Sequence, residues 1–387
     1  MQSEPAPQPK PDPVQTLRGK VAVLRTSPAT VLEDFGRLME LAHFREALPR
    51  EHDTILKINI SWHHYYPACS TTPWQLDGVT AKLLADGRPP HTLIPAQNRT
   101  VVVDPKVGAV RNRLDVVMEK HRLEFIYLYE PHVEWITYHP HCEMAALPEI
   151  FPDGIRIPRL MIGRNALHLP TVKTHVFTTT TGAMKNAFGG LLNEKRHWTH
   201  SRIHETLVDL LALQQEIHPG LFAVMDGTIA GDGPGPRAMQ PVVKNVILAA
   251  ADQVAIDAIA AKMMGFDPLG LDYIRLAHER GLGVGDPREI EVVGDDVSSE
   301  NWGFSVGDTF ASRGQKSIYH GCLKPLESLL LRSPLVPWSY LASRAYHDAY
   351  WFPCIGRKRV HEIMQTGWGE LFRGYGRPTA PKEGAAG

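Results

Sequence analysis

The eighteen residues KTHVFTTTTGAMKNAFGG, 173–190, hold two lysines, a histidine, four consecutive threonines, an asparagine and three glycines. Such a segment offers a nucleophilic amine, an imidazole that can move a proton, and glycine N–H groups that an anion can approach. Lys173 and His175 stand at the end of an expected strand, Thr181 and Gly182 turn the chain, and Ala183 to Phe188 open a short helix carrying Lys185 and Asn186. A lysine amine held low in pKa by burial could attach a cofactor, with His175 as acid/base beside it. The bland alternative is a pair of solvated lysines beside threonines that favour a strand.

Two further groups carry chemistry. In DGTIAGDGPGP, 226–236, Asp226 follows the apolar run LFAVM, and Gly227, Gly231 and Gly233 permit close backbone approach. The stretch is read as a glycine-rich turn; it lacks the GK[ST] ending of a P-loop and the GxGxxG fingerprint. In RHWTHSRIH, His197, His200 and His204 are spaced by three and four, so on a helix they share one face and could hold a transition metal. An exposed polar face explains that spacing equally well. His63 with His64, and HPHC at 139–142, are weaker ligand sets.

The elements that must position these residues alternate between strand and helix. Strands are expected at KVAVLR (20–25), DTILKINIS (53–61), TLIPA, EFIYLYE, RIPRLMIG, ALHLPTVKTH, LFAVM, VILAA and EIEVVG (289–294). Helices are expected over 30–47, after Thr72-Pro73, around NRLDVVMEKHRL, from His204 to Ile217, from Asp252 to Gly265, and up to Gly281. The alternation predicts an α/β protein of two lobes, with largely parallel sheets, flanking helices and a central cleft. Boundaries are expected at a disordered leader (1–18), an N-terminal lobe (19–155), a C-terminal lobe (156–310) and an aromatic helical extension (311–387).

Composition narrows the partners. Forty-one Lys and Arg balance 42 Asp and Glu in 387 residues, so no net field draws nucleic acid or an anionic membrane. Cys69, Cys142, Cys322 and Cys354 show no CxxC spacing, which speaks against a disulfide framework and an iron–sulfur cluster. The proline-rich N-terminus has no apolar signal core and no run of eighteen apolar residues follows, so a cytoplasmic protein without a transmembrane segment is expected.

From about residue 53 to 294 the chain resembles the domain of unknown function family numbered 362. The resemblance rests on Lys57 and Asn59 in KINIS, the Thr72-Pro73 helix start, KTH followed by TGAMKNAFGG, the GDGPGP segment, and AAADQVAIDAIAAKMMGFDP before ERGLG. It implies that Lys57, Asn59 and Thr72 join Lys173, Thr181, Gly182, Lys185, Asn186, Asp226, Gly227, Gly231 and Gly233 as cofactor-binding candidates. Many relatives carry a cysteine-rich ferredoxin-like segment; this chain has none, so electrons would come from a redox partner.

The block from His175 to Lys185 is also similar to nickel-pincer lactate racemases, where a histidine stands the same ten residues before a cofactor-holding lysine. His200 then matches a nickel-binding histidine in rough spacing, which implies nickel as the metal. The racemases' Arg-x-Thr-Pro turn is only partly matched by Thr71-Thr72-Pro73, because its arginine is absent. Two functions are therefore expected as alternatives. One is a metal- or organic-cofactor-dependent enzyme for redox or isomerisation of a small hydroxylated or carboxylated metabolite, with His175 and Lys185 catalytic. The other is a noncatalytic carrier of a metal or a phosphorylated ligand. A homodimer is a further possible assembly.

Overall fold

The structure is a computed structural model that describes residues 16–100, 103–308 and 344–376. In chain order its strands are β1 (Lys20–Arg25), β2 (Thr54–Ile58), β3 (Leu93–Gln97), β4 (Ile126–Tyr127), β5 (Trp135–Tyr138), β6 (Ile155–Pro158), β7 (Asn165–Leu169), β8 (Thr171–His175), β9 (Thr179–Thr180), β10 (Leu221–Asp232), β11 (Gln240–Ala250) and β12 (Glu291–Gly294). All but β5 and β6 join one ten-stranded sheet in the order β12-β1-β11-β10-β7-β2-β3-β4, with β8 on β10 and β9 on β8. Most neighbours run parallel; β11 is antiparallel to both β1 and β10. The α/β class, with a largely parallel sheet flanked by helices, is as expected. Both sequence halves contribute strands to this sheet, for β2 and β7 pair directly.

Side chains alternate across it. Ala22, Leu24, Phe222 and Val224 pack toward the helices Val31–Leu41 and Pro73–Ala85, whereas Val21, Val23, Ala223 and Met225 pack toward Gln253–Met264 and Ile203–Ile217. Burial on both faces explains why these strands read as continuous apolar runs. On the first face, Trp368 meets Trp74 at 5.3 Å between rings and Phe372 stacks on Tyr65 at 3.8 Å, so the described end of the aromatic extension covers the core. Of the expected leader, residues 1–15 lie outside the described residues, and Leu17 is buried. Residues 309–343 of the extension also lie outside them.

Several local expectations need correcting, among them the strand RIPRLMIG, which stops at Pro158 before a 3₁₀ turn over Arg159–Met161. The helix expected over 30–47 splits into Val31–Leu41 and Phe44–Ala47, because His43 takes a left-handed φ of 52°. The strand ALHLPTVKTH divides at Pro170, which has no N–H for the ladder. The largest difference concerns 226–236, since β10 continues through Asp226 and Gly227 to Asp232, paired with β11. Asp226 therefore sits inside a strand. Gly231 there lets β8 cross closely, for a Cβ on it would lie 3.1 Å from Lys173 Cβ and 2.5 Å from Met239 Sδ.

Asp252 starts the helix Gln253–Met264 as expected, accepting from Val254 and Ala255 N–H, and also from Gly19 at 3.0 Å and Val284 at 3.0 Å. Asp252→Ala should lower unfolding free energy by about 2–4 kcal/mol, since it removes a helix cap and two tertiary hydrogen bonds. Chemical denaturation would check this; a loss no larger than that of an ordinary surface substitution would count against it.

Candidate active site at the strand ends

Parallel strands leave their carboxyl ends on one edge, where open α/β sheets hold ligands. Lys57 ends β2 there and is buried, with its amine donating to Ile58 O and, at 2.5 Å, to Gln97 Oε1 at the end of β3. Burial, then the nearby Arg196 guanidinium, pushes the Lys57 pKa well below the usual lysine range. Gly190 makes room for it, because a Cβ there would stand 2.8 Å from Lys57 Cε. Asn186 ties the opening segment to the same strand by donating to Lys57 O at 2.8 Å. Asn59 holds the following loop, donating to Cys69 O and accepting from Ser61.

Lys173 is buried on β8, where its amine donates to Cys69 O at 2.5 Å and reaches Ser61 Oγ at 3.3 Å. Burial pushes its pKa down to about 8, opposed by the Cys69 thiol. Two residues on, His175 Nδ1 accepts from Phe177 N–H at 3.1 Å, which leaves the neutral ring's proton on Nε2. Lys185 Nζ lies 2.9 Å from that Nε2 and 3.3 Å from Thr178 Oγ1. Burial and the Lys185 charge drive His175 well below the usual histidine range; burial and Lys173 do the same to Lys185. A neutral imidazole thus faces an amine that gives up its proton easily.

The turn that carries Lys185 is held by an aspartate the sequence reading missed. Asp257 accepts from Ala183 N–H at 2.6 Å and Met184 N–H at 3.2 Å, and a Cβ on Gly182 would stand 2.1 Å from its Oδ1. The first two N–H groups of the helix start are thus taken by the Asp257 side chain. Thr181 packs along β8, its hydroxyl donating to Lys173 O at 3.3 Å.

Asp226 and Thr72 belong to a different place. Asp226 accepts from Thr72 Oγ1, Trp74 Nε1 and Thr228 N–H, and its strand parity with Val224 turns it toward the helix Pro73–Ala85. Lys57 has the parity of Ile55, which packs on the other side. Thr72 and Asp226 close a buried joint between helix and sheet. Gly227 lies in that strand, and Gly233 turns at φ 107° where Thr174 Oγ1 reaches its carbonyl.

The histidine group is not on one α-helical face, since residues 194–202 form tighter 3₁₀ turns. His200 lies edge-on to Phe177 at 5.6 Å and to Phe188 at 5.7 Å, and its charge depresses His175. His204 lies 6.2 Å from the Tyr273 ring and is pushed down by burial. The side chain of His197 lies outside the described residues. Among the described residues, His200 and His204 belong to no group of three ligand side chains. At 139–142, Glu216 accepts from the N–H groups of His141 and Cys142.

Lys57, Lys173, Lys185, Arg196 and Arg237 share one property: burial lowers each pKa, and none forms an ion pair among the described residues. Arg237 Nη1 is buried without a hydrogen-bond partner. Gln97, Cys69, Arg196 and Arg237 were not predicted, because each comes to the site from a distant segment with no motif of its own.

The family model described as "Domain of unknown function (DUF362)" matches residues 54–262. The chain belongs to this family. Every strand-end residue named above, from Lys57 to Asp257, lies within the DUF362 match. The chain is also 28% identical over 123 residues to the thylakoid-associated protein sll1697 of Synechocystis sp., a match covering 30% of this chain and 37% of that protein. No solved structure matches the chain. No helix among the described residues is long and apolar enough to cross a membrane.

Proposed function

We propose that this DUF362 chain is an enzyme that transforms a small hydroxylated or carboxylated metabolite by proton transfer, within a redox or isomerisation reaction. The observation that carries this reading is the Lys185–His175 contact beside buried basic groups that form no ion pair within 4.0 Å among the described residues. An unpaired buried cation is costly, and a bound anion removes the cost. Lys173 and Arg237 would hold the carboxylate or phosphate, while His175 exchanges a proton with substrate and Lys185 sets its charge. The reading places the enzyme in the cytoplasm, alone, as a homodimer or with a redox protein.

The His175 and His200 rings flank Phe177 and the Lys185 amine lies against His175, a set that fits a lysine-attached, metal-containing group in donor type. Lys185 would hold such a group and His200 would ligate its nickel, and when bound it would supply redox chemistry that no side chain here has. Thr72 is spent on Asp226, so substrate recognition falls to Lys173 and Arg237.

The test is a panel of 2-hydroxy acids and phosphorylated hydroxy compounds incubated with the protein, purified from its native host, in deuterium oxide. Deuterium is expected to enter the C–H bond of the ligand that binds. His175→Gln should slow that exchange about 10²–10⁴-fold with binding kept, and Lys173→Met should weaken binding. Tight binding with no exchange or turnover would favour the carrier instead.

A further inference from the structure

The loop after β2 carries Trp62, His63 and His64 to the helical segment Ala345–Gly356, where Asp348 meets them. His63 Nε2 lies 3.4 Å from Asp348 Oδ2, and Trp62 Nε1 donates to Asp348 Oδ1 at 2.7 Å. One ligand atom from each of His63, His64 and Asp348 can be chosen so that all three lie within 4.8 Å of one another, the sole such set among the described residues. All three side chains are half-buried, and His63 Nδ1 is enclosed without a hydrogen-bond partner. His64 is fixed by stacking on Phe352, with rings 4.2 Å apart and 12° from parallel.

We propose that His63, His64 and Asp348 form a site for a divalent transition metal of the zinc or cobalt(II) type. Two imidazoles and one carboxylate suit such ions, whereas magnesium and calcium prefer oxygen alone. A dication entering there meets the charges of the cations that face the pair: Arg111, Arg237 and Arg344 near His63, and Arg111 and Arg357 near His64.

Arg111 is the direct competitor, because its Nη1 lies 2.8 Å from His64 Nδ1 and donates to that lone pair. Its exposed side chain can leave when a metal arrives. The remaining arginines favour a metal that brings an anionic co-ligand, so the open coordination positions fit a carboxylate or hydroxide. Arg237 also acts on His175, which sets this site beside the strand-end cations without depending on their proposed role.

The full chain, stripped with chelator, would be titrated with cobalt(II) by absorption and with zinc by calorimetry. One equivalent is expected to bind. His64→Ala and Asp348→Asn should each weaken it tenfold or more, Arg111→Ala should tighten it severalfold, and His200→Ala should leave it unchanged. Asp348→Asn nearly keeps shape, and circular dichroism with a melting curve confirms that each variant is folded. Absence of saturable binding, equal affinity in folded Asp348→Asn and parent protein, or loss in His200→Ala alone would overturn the site.

Discussion

Lys185 is expected to react with acetic anhydride at pH 7 at least about ten times faster than Lys106, because more of its amine is unprotonated there. The two lysines are opposites: burial and Lys173 lower Lys185, whereas the 2.5 Å ion pair with Glu130 raises Lys106. Competitive labelling read by peptide mass spectrometry across pH gives each midpoint. Lys173→Met removes the cation that depresses Lys185, so the Lys185 midpoint should move up. Protein from its native host adds a second readout: a covalently held organic group would appear as extra mass on the Lys185 peptide and block the label. A free Lys185 that labels no faster than Lys106 would remove it from the proposed chemistry. The sign for stability follows from the same shift. The folded chain holds Lys185 neutral over a range where the unfolded chain protonates it, so its contribution rises with pH across that range.

Asp257→Asn is expected to gain stability relative to the parent as pH rises from about 4 to about 8. Burial drives the Asp257 pKa up to about 8, against the lowering effect of the Ala183 and Met184 N–H bonds. Since the folded value lies above the unfolded one, the folded chain keeps a proton that the unfolded chain has lost, and stability falls as pH climbs through that window. Each pH unit is worth up to about 1.4 kcal/mol. Asparagine cannot ionise and can still accept from one of the two N–H groups, so the slope should vanish with the turn intact. Asp257→Ala leaves both N–H groups buried and unpaired, a loss of about 1–3 kcal/mol for each at every pH. Melting curves from pH 4 to 8 decide the matter. A constant offset between Asp257→Asn and the parent would show that Asp257 does not titrate in this range.

The linked role of Asp257 also bears on the Lys185 chemistry. Its carboxyl group fixes the first residues of the turn on which Lys185 stands, so disturbing it should shift the Lys185 labelling midpoint as well as stability.

Much of the scaffold was written in local patterns. Period-two and period-3.6 spacing, with caps at Thr72 and Asp252 and a left-handed stop at Gly265, specify elements within a few residues because each signal acts between near neighbours. The contact between His175 and Lys185 was legible for the same reason: a lysine and a histidine ten residues apart around a tight turn are close in any compact conformation of it. Lys57 was reachable only through family resemblance, as a lone lysine in an apolar strand. What tertiary structure decided was which charges meet. Strand parity turns Asp226 toward Trp74 and away from Lys57, a distinction of one residue of register. Asp257 meets Gly182, Cys69 meets Lys173, and Asp348 meets His63 across gaps of 75, 104 and 285 residues, the last from outside the family match. No periodicity spans such distances, because the sheet order that closes them depends on burying both faces of the whole sheet together.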